Sequence, residues 1–208
     1  MVIRPKKAIS FVILAAVCLL LTAAGYQKVR FVFDGDTILL DNKNKVRYLG
    51  INAPEINHGS WKSEFMACAA RDLNLQLVNE TRVRLEYDQT RRDRYGRVLA
   101  YVFLENGEMV NALLVRKGLA HVMFNNPDLK YRDLLLNCQR KAMREKLGIW
   151  SISFNGQGGV YVGNSNSYRF HLPSCPFTKK ILQRNQVRFT SRYDAFWEGY
   201  SPCKRCRP

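Results

Sequence analysis

The stretch RYLGINAPE, residues 47–55, places Arg47 on a short apolar run and Glu55 just after an Ala-Pro corner. Upstream, FDGDT brings Asp36 to the end of a strand-like segment, and downstream RRDRYGR contains Arg97. Hydrolysis of a phosphodiester needs a cation that polarises a phosphoryl oxygen, fixed positive charge for the transition state, and a group that orients or deprotonates water. A carboxylate can hold a hard cation such as calcium, and arginine donates paired hydrogen bonds to phosphate while it stays protonated. These four side chains together therefore predict a phosphate-hydrolysing site.

Each of these signals has a simpler explanation when it stands alone. Asp-Gly sequences are common in turns, so Asp34 and Asp36 need not bind a metal. Arg47 and Glu55 can form a cross-strand salt bridge without any chemistry, and RRDRYGR can be a basic hairpin turn. Two histidines have no partner at a useful spacing, and the chemistry above needs no imidazole, so we expect surface or packing positions for His58 and His121.

A second group of residues has the spacing of a metal site. His171 and Cys175 are followed, after 27 residues, by the pair Cys203 and Cys206. Four such ligands in two close pairs suit tetrahedral zinc. A segment of about fifty residues has too small a core to be stable alone, so a bound metal ion is a reasonable source of stability. The competing interpretation is a Cys203–Cys206 disulfide with Cys175 free.

The composition favours a globular protein with a polyanionic partner. The chain has 208 residues, 47% of them hydrophobic and 24% charged, which suits one domain plus a small module. Its formal net charge is +16, which favours nucleic acid or anionic lipid as a partner over a role in solubility alone.

The first 25 residues have the pattern of an export segment. Arg4, Lys6 and Lys7 precede an uncharged run from Ala8 to Gly25. The run predicts either a cleaved signal peptide or an uncleaved N-terminal membrane anchor, because its length is close to that of a short membrane span. Both interpretations place the rest of the chain outside the cytoplasm, secreted or in the cell envelope.

The patterns between residues 26 and 150 predict strands first and helices later. Alternating or β-rich runs indicate five strands, and helical periodicity is expected at 63–78, 109–117 and from Asn126-Pro127 to Gly148. This order suggests a small barrel with helices packed against it, in the α+β class. The small, glycine-rich segment 151–159 marks a linker, and 160–208 form a separate module.

Residues 26–150 resemble staphylococcal nuclease, the thermonuclease family. The resemblance rests on motifs that occur in the order of that family, namely DGDT (34–37), RYLGINAPE (47–55), DRYGRVLAYVF (93–103), MVNALLVRKGLA (109–120) and EKLGIW (145–150). It implies an OB-fold five-stranded barrel with three helices and calcium-dependent cleavage of DNA and RNA.

The resemblance also implies roles for individual residues. Asp36 would be the principal calcium carboxylate, with Thr37 and the Ala53 carbonyl completing the metal surroundings. Arg47 and Arg97 would bind phosphate and stabilise the transition state.

Further roles follow from the same resemblance. Glu55 would activate or orient water. Arg94 and Tyr95 fall where the family contacts a terminal phosphate, and Phe124 falls at a base-stacking aromatic. Asn52 departs from the best-known member, which has aspartate there; its amide oxygen can still reach calcium but brings no charge.

The last fifty or so residues resemble the metal-binding domain of the Ada DNA-repair protein, through FHLPSCP and SRYDAFWEGYSPCKRC. In Ada the first ligand is a cysteine that accepts a methyl group, and here that position is His171, so methyl transfer is not expected. What remains is a structural zinc site on a basic surface that would aid DNA docking. The module has nine basic residues against two acidic ones.

These observations predict an exported nuclease that acts on DNA and/or RNA as a monomer, with Ca²⁺ and Zn²⁺ as cofactors. One rival is a nuclease-like barrel that binds nucleic acid without cutting it, and Asn52 is the residue that favours it. A second rival is a membrane-surface protein. The sequence leaves open whether Cys68 and Cys138 form a disulfide or remain thiols.

Overall fold

The structure is a computed structural model that describes residues 25–57, 62–124, 126, 128–152 and 159–208. The N-terminal export segment up to residue 24, His58 and most of the predicted linker lie outside the described residues. The strands are β1 (Tyr26–Val32), β2 (Thr37–Leu40), β3 (Lys45–Tyr48), β4 (Ile51–Asn52), β5 (Arg82–Glu86), β6 (Val98–Phe103), β7 (His121–Val122), β8 (Tyr161–Asn164), β9 (Arg169–His171), β10 (Gln186–Phe189) and β11 (Ser201–Pro202).

The α-helices are α1 (Ala67–Val78), α2 (Val110–Arg116), α3 (Arg132–Arg144) and α4 (Arg192–Trp197). Short 3₁₀ helices occupy Gly148–Trp150, Thr178–Lys180 and Gln183–Asn185. Among the described residues, none of the helices combines the length and the apolar character that a membrane span requires.

Five strands close into a barrel in the order β1-β2-β3-β6-β5. All neighbours are antiparallel except β3 and β6, which run parallel with Arg47 opposite Leu99. Inward-facing β-branched and aliphatic side chains fill the barrel, as the alternating pattern predicts, and the predicted α+β fold with a five-stranded barrel and three helices is confirmed.

Two glycines allow the loops of the barrel to meet at one end. Gly50 has a φ of 78°, and a Cβ there would lie 2.8 Å from a Leu135 methyl group. A Cβ on Gly35 would lie 2.6 Å from the Cβ of Ala53. The loop that carries Asp36 can therefore approach the corner after β4 only because residue 35 has no side chain.

Two predicted helix starts are wrong. The helix predicted from residue 63 begins at Ala67, since Met66 adopts a left-handed φ of 65°. The helix predicted from Asn126 begins at Arg132. The Asp128 amide donates to the Asn126 side chain, as at a helix N-terminus, but the Lys130 amide donates to Asp88 instead of continuing the turn.

The C-terminal module is a four-stranded sheet, β10-β8-β9-β11, with α4 packed on it. Its aromatic core is shared with the end of the nuclease-like domain, because Trp150 and Phe170 both pack edge-on against Phe196. The Gln139 side chain on α3 accepts from the Val122 amide and donates to the Phe196 carbonyl. The module is therefore attached by a common core and buried hydrogen bonds.

Candidate functional site

Asp36 is a buried carboxylate at the end of the loop that follows β1. Its Oδ2 accepts from the Ala53 amide at 2.6 Å, and its Oδ1 accepts from the Thr37 hydroxyl at 3.0 Å. Burial raises the pKa of Asp36 to about 6, although the positive charge of Arg47 opposes the shift. Even with Arg47 beside it, the buried carboxylate is not fully stabilised by positive charge, so a bound cation would stabilise it further.

Arg47, on β3, is buried and held on all sides. Its Nη1 donates to the carbonyls of Tyr48 and Ile51 at 2.8 and 2.9 Å. Its Nη2 pairs with Asp36 Oδ2 at 3.0 Å and donates to the Asn52 side-chain oxygen, also at 3.0 Å. The alternative of an Arg47–Glu55 salt bridge is wrong among the described residues, since the carboxylate that Arg47 pairs with is Asp36.

Asn52 uses both ends of its amide within the site. Its oxygen accepts from Arg47, while its Nδ2 donates to the Ala53 carbonyl at 3.2 Å. The Asn52 side-chain oxygen and the Ala53 carbonyl oxygen, both predicted as calcium ligands, thus each accept a hydrogen bond within the site. The Asn52 amide group itself carries no charge.

Glu55 lies beyond the Ala-Pro corner with its side chain exposed. Its backbone amide donates to Glu64 Oε2 at 2.9 Å, and the Glu64 amide donates back to the Glu55 carbonyl at 3.1 Å. This reciprocal pairing fixes the backbone at Glu55. Its carboxylate lines the same cleft as Asn52, where it is accessible to water.

Arg97, Arg94 and Tyr95 lie together on the turn between β5 and β6. Arg97 Nε pairs with Asp93 Oδ2 at 2.7 Å, which holds the guanidinium against its own turn. Arg94 donates to the Tyr95 hydroxyl at 2.6 Å, and the Tyr95 ring is 69% exposed. Arg97 immediately precedes β6, whose Leu99 is opposite Arg47 of β3, and it is not one of the described residues that line the cleft with Glu55.

The prediction that Phe124 stacks on a base is wrong for this structure. Phe124 is fully buried, with the ring of Tyr168 edge-on at 6.3 Å between centroids. The chain at Gly199 packs so closely that a Cβ there would lie 3.1 Å from the Phe124 ring. The C-terminal module covers this aromatic ring. The preceding residue, Met123, lines two cavities instead, one together with Glu55 and the other together with Asp88.

A cleft of about 340 Å³ lies between the barrel and the C-terminal module. The barrel side includes Asn52, Glu55, Glu64, His121 and Met123, and the module side includes Arg169, Cys203, Lys204 and Arg207. The three cations of the module side were not predicted as site residues. They belong to no motif for phosphate chemistry, and they meet the barrel only through tertiary packing.

His121 is both a packing residue, as predicted, and a residue of this cleft. It pairs with Asn52 across β4 and β7, and its ring packs edge-on against Phe196 at 5.5 Å. Burial lowers the pKa of His121 to about 4, and the positive charges of Arg169 and Arg47 act in the same direction. The imidazole is therefore neutral near pH 7.

The predicted zinc ligands come together. The ligand atoms of His171, Cys175, Cys203 and Cys206 all lie within 4.8 Å of one another, at the ends of β9 and β11. All three cysteines are free thiols, so the alternative Cys203–Cys206 disulfide is not formed. Three sulfurs and one imidazole nitrogen at this spacing fit a tetrahedral zinc ion.

The two remaining described cysteines are also free. Cys68 is exposed on α1, and Cys138 is half-buried on α3, where burial raises the pKa of its thiol. Of the two alternatives that the sequence allows, the structure has the free thiols.

Comparison with known proteins agrees with this geometry. The family model for staphylococcal nuclease homologues matches residues 45–152, and that for the metal binding domain of Ada matches 154–208. A thermonuclease of Staphylococcus intermedius is 39% identical over 125 residues, which are 59% of this chain and 74% of the relative. The endonuclease YncB of Bacillus subtilis is 38% identical over 125 residues, 58% of this chain and 59% of the relative. This chain belongs to the family of staphylococcal nuclease homologues and carries an Ada-type metal-binding domain at its C-terminus.

Proposed function

We propose that the protein is a nuclease that hydrolyses phosphodiester bonds of DNA and/or RNA with the help of Ca²⁺. The observation that carries the proposal is the buried Asp36–Arg47 pair beside a cleft in which the Glu55 carboxylate is exposed. The relatives named as thermonucleases and endonucleases support the same activity.

The residues around Asp36 fit a hard cation. The Asp36 carboxylate, the Thr37 hydroxyl, the Asn52 amide oxygen and the Ala53 carbonyl are all oxygen donors, which calcium prefers. These four residues would hold the ion. When bound, it would polarise a phosphoryl oxygen and neutralise charge that develops there.

The remaining roles follow from charge and exposure. Arg47 is rigid and positively charged beside Asp36, so it supplies a fixed positive charge next to the cleft in which a phosphate would bind. Glu55 is exposed at the cleft and can orient a water molecule or accept its proton. Arg97 adds a second guanidinium at the end of β6, and Arg94 and Tyr95 offer an exposed pair for a terminal phosphate.

In the C-terminal module we propose structural Zn²⁺, held by His171, Cys175, Cys203 and Cys206. Four protein ligands leave no open position, so the ion would stabilise the module rather than take part in hydrolysis. The basic module would assist nucleic-acid binding.

We further propose that the protein is exported and acts as a monomer. The basic N-terminus and the uncharged run from Ala8 to Gly25 support export, by a cleaved signal peptide or by an N-terminal anchor. An extracellular or cell-envelope setting also provides calcium at the concentrations that weak sites require.

A direct assay separates this proposal from the rival of a binding protein without activity. The purified chain is incubated with DNA and with RNA, in calcium or in excess chelator. We expect cleavage in calcium and none in chelator. Binding without cleavage in either condition would select the rival.

The substitution Asn52→Asp should lower the calcium concentration needed for half-maximal cleavage, on the order of tenfold, because it adds a charge among the ligands. It also removes the amide group that donates to the Ala53 carbonyl. The measurement is a calcium titration of the cleavage rate. Asn79→Asp, at an exposed position after α1, adds the same charge and should leave the titration unchanged. Identical titrations for all three proteins would mean that residue 52 is not a ligand.

A further inference from the structure

We propose that the C-terminal module forms one wall of the substrate cleft, in which Arg169, Lys204 and Arg207 bind phosphates of the nucleic-acid strand that passes Glu55. The inference rests on the proposed nuclease function and names the surface that holds its substrate. It makes the module a part of the substrate-binding site rather than a separate docking domain.

The charges of the cleft are divided between its two sides. The barrel side contributes the carboxylates Glu55 and Glu64, while the module side contributes three cations. Among the described residues, the Lys204 and Arg207 side chains take part in none of the ion pairs, and both are exposed. A wall of cations facing a catalytic carboxylate suits a phosphodiester backbone, which carries one negative charge for each nucleotide.

Arg169 is positioned by the sheet of the module. It lies on β9 opposite Ser201 of β11, and its Nη1 donates to the Ser201 hydroxyl at 2.8 Å. The Arg169 guanidinium thus lines the cleft from the module side, where it can donate to a phosphate oxygen.

Lys204 and Arg207 are held by the metal-binding turn. Both belong to the turn that contains Cys203 and Cys206, and the Arg207 amide donates to the Cys203 carbonyl at 2.9 Å. A zinc ion bound to these cysteines would fix the turn and, through it, the positions of the two cations. This links the metal site to substrate binding although the metal takes no part in the reaction.

The attachment of the module keeps this wall in place. Gln139 and Arg140 on α3 donate to the carbonyls of Phe196 and Trp197, and Arg140 also pairs with Glu198. Together with the shared aromatic core, these contacts hold the module against the barrel as a fixed surface.

The test compares two double variants of equal charge. Lys204→Gln/Arg207→Gln removes two cations of the cleft, and Arg184→Gln/Arg188→Gln removes two exposed cations near β10, at the opposite edge of the sheet from β11. Binding of a short fluorescein-labelled oligothymidylate is measured by anisotropy in calcium-free buffer without chelator, so that bound zinc is kept and cleavage is not required. Zinc content and thermal unfolding confirm that both proteins are folded.

We expect the cleft variant to weaken binding by about 10- to 30-fold and the control by less than about threefold. The slope of log Kd against log salt should fall by about 1.4 for the cleft variant, or about 0.7 for each lost phosphate contact. Arg169→Gln should weaken binding in the same way, and Arg169→Lys should retain most of it.

Equal losses in the two double variants would overturn the proposal, because only net charge would then matter. Failure of the unmodified chain to bind the oligonucleotide would overturn it as well. If the unmodified chain binds but never cleaves, and the cleft variant alone weakens binding, the wall is supported while the nuclease function is contradicted.

Discussion

The substitution Arg47→Lys should lower the maximal rate of phosphodiester cleavage by about 100- to 1,000-fold. Arg47 makes four contacts through its two terminal nitrogens, to two carbonyls, one amide oxygen and the Asp36 carboxylate. A lysine ammonium keeps the charge but cannot reproduce this planar arrangement, so the positive charge beside the transition state is no longer held in a fixed position. The measurement is the single-turnover rate in saturating calcium.

Lysine is the informative replacement because it keeps a partner for Asp36. Alanine would leave a buried carboxylate without its cation, which costs about 3–5 kcal/mol and confuses loss of folding with loss of chemistry. Arg82→Lys, at an exposed position at the start of β5, is the matched control and should not change the rate. A rate within twofold of that of the unmodified protein for Arg47→Lys would contradict the role of this side chain.

Loss of a zinc ligand should have the largest effect on stability. Cys175→Ser should abolish zinc binding and lower the free energy of unfolding by about 3 kcal/mol or more, because the module has too little core to fold without its metal. For a chain of this size, 3 kcal/mol corresponds to roughly 6–12 °C in melting temperature. The core of the module is shared with α3, so the loss should reach the nuclease-like domain as well.

Zinc analysis and thermal unfolding measure this effect, and a zinc-selective chelator should reproduce it in the unmodified protein. Cys68→Ser removes an exposed thiol outside the cluster and should change neither quantity. A Cys175→Ser protein that is as stable as the original, or an unmodified folded protein that contains no zinc, would contradict the metal assignment.

The sequence predicts well whatever depends on short stretches of chain. The strands of the barrel follow from alternating apolar residues. Asp36, Thr37 and Arg47 come together at or near the ends of neighbouring barrel strands, and Asn52 and Ala53 follow a few residues later at the end of β4, which pairs with β7. The cluster of His171, Cys175, Cys203 and Cys206 follows from two local pairs that only one further contact, between β9 and β11, must bring together.

What the sequence does not predict depends on how the two domains pack. Phe124 has the position of an exposed aromatic in the barrel, but Tyr168 and Gly199 of the module cover it. In the same way, Arg169 and Lys204 reach the cleft only through the orientation of the module. Neither effect leaves a periodicity or a motif in the chain, since both depend on contacts between residues far apart in sequence.

The start of α3 shows a similar limit on a smaller scale. Asn126 followed by proline is a good helix start by local rules, yet the Lys130 amide donates to Asp88, 42 residues earlier in the chain. This tertiary hydrogen bond takes the amide that would otherwise donate to the Asn126 carbonyl in a first helical turn, and the helix begins only at Arg132.

The central claim is that the Asp36 site cleaves nucleic acid with the help of calcium and the Glu55 carboxylate. Its most direct test is the rate of DNA and RNA cleavage in calcium and in chelator, for the unmodified chain, Glu55→Gln and Arg97→Ala. We predict calcium-dependent cleavage that falls by about 100-fold or more in Glu55→Gln, since the amide cannot accept a proton from water, and that also falls in Arg97→Ala. Cleavage that persists in chelator, or that both substitutions leave unchanged, would contradict the account.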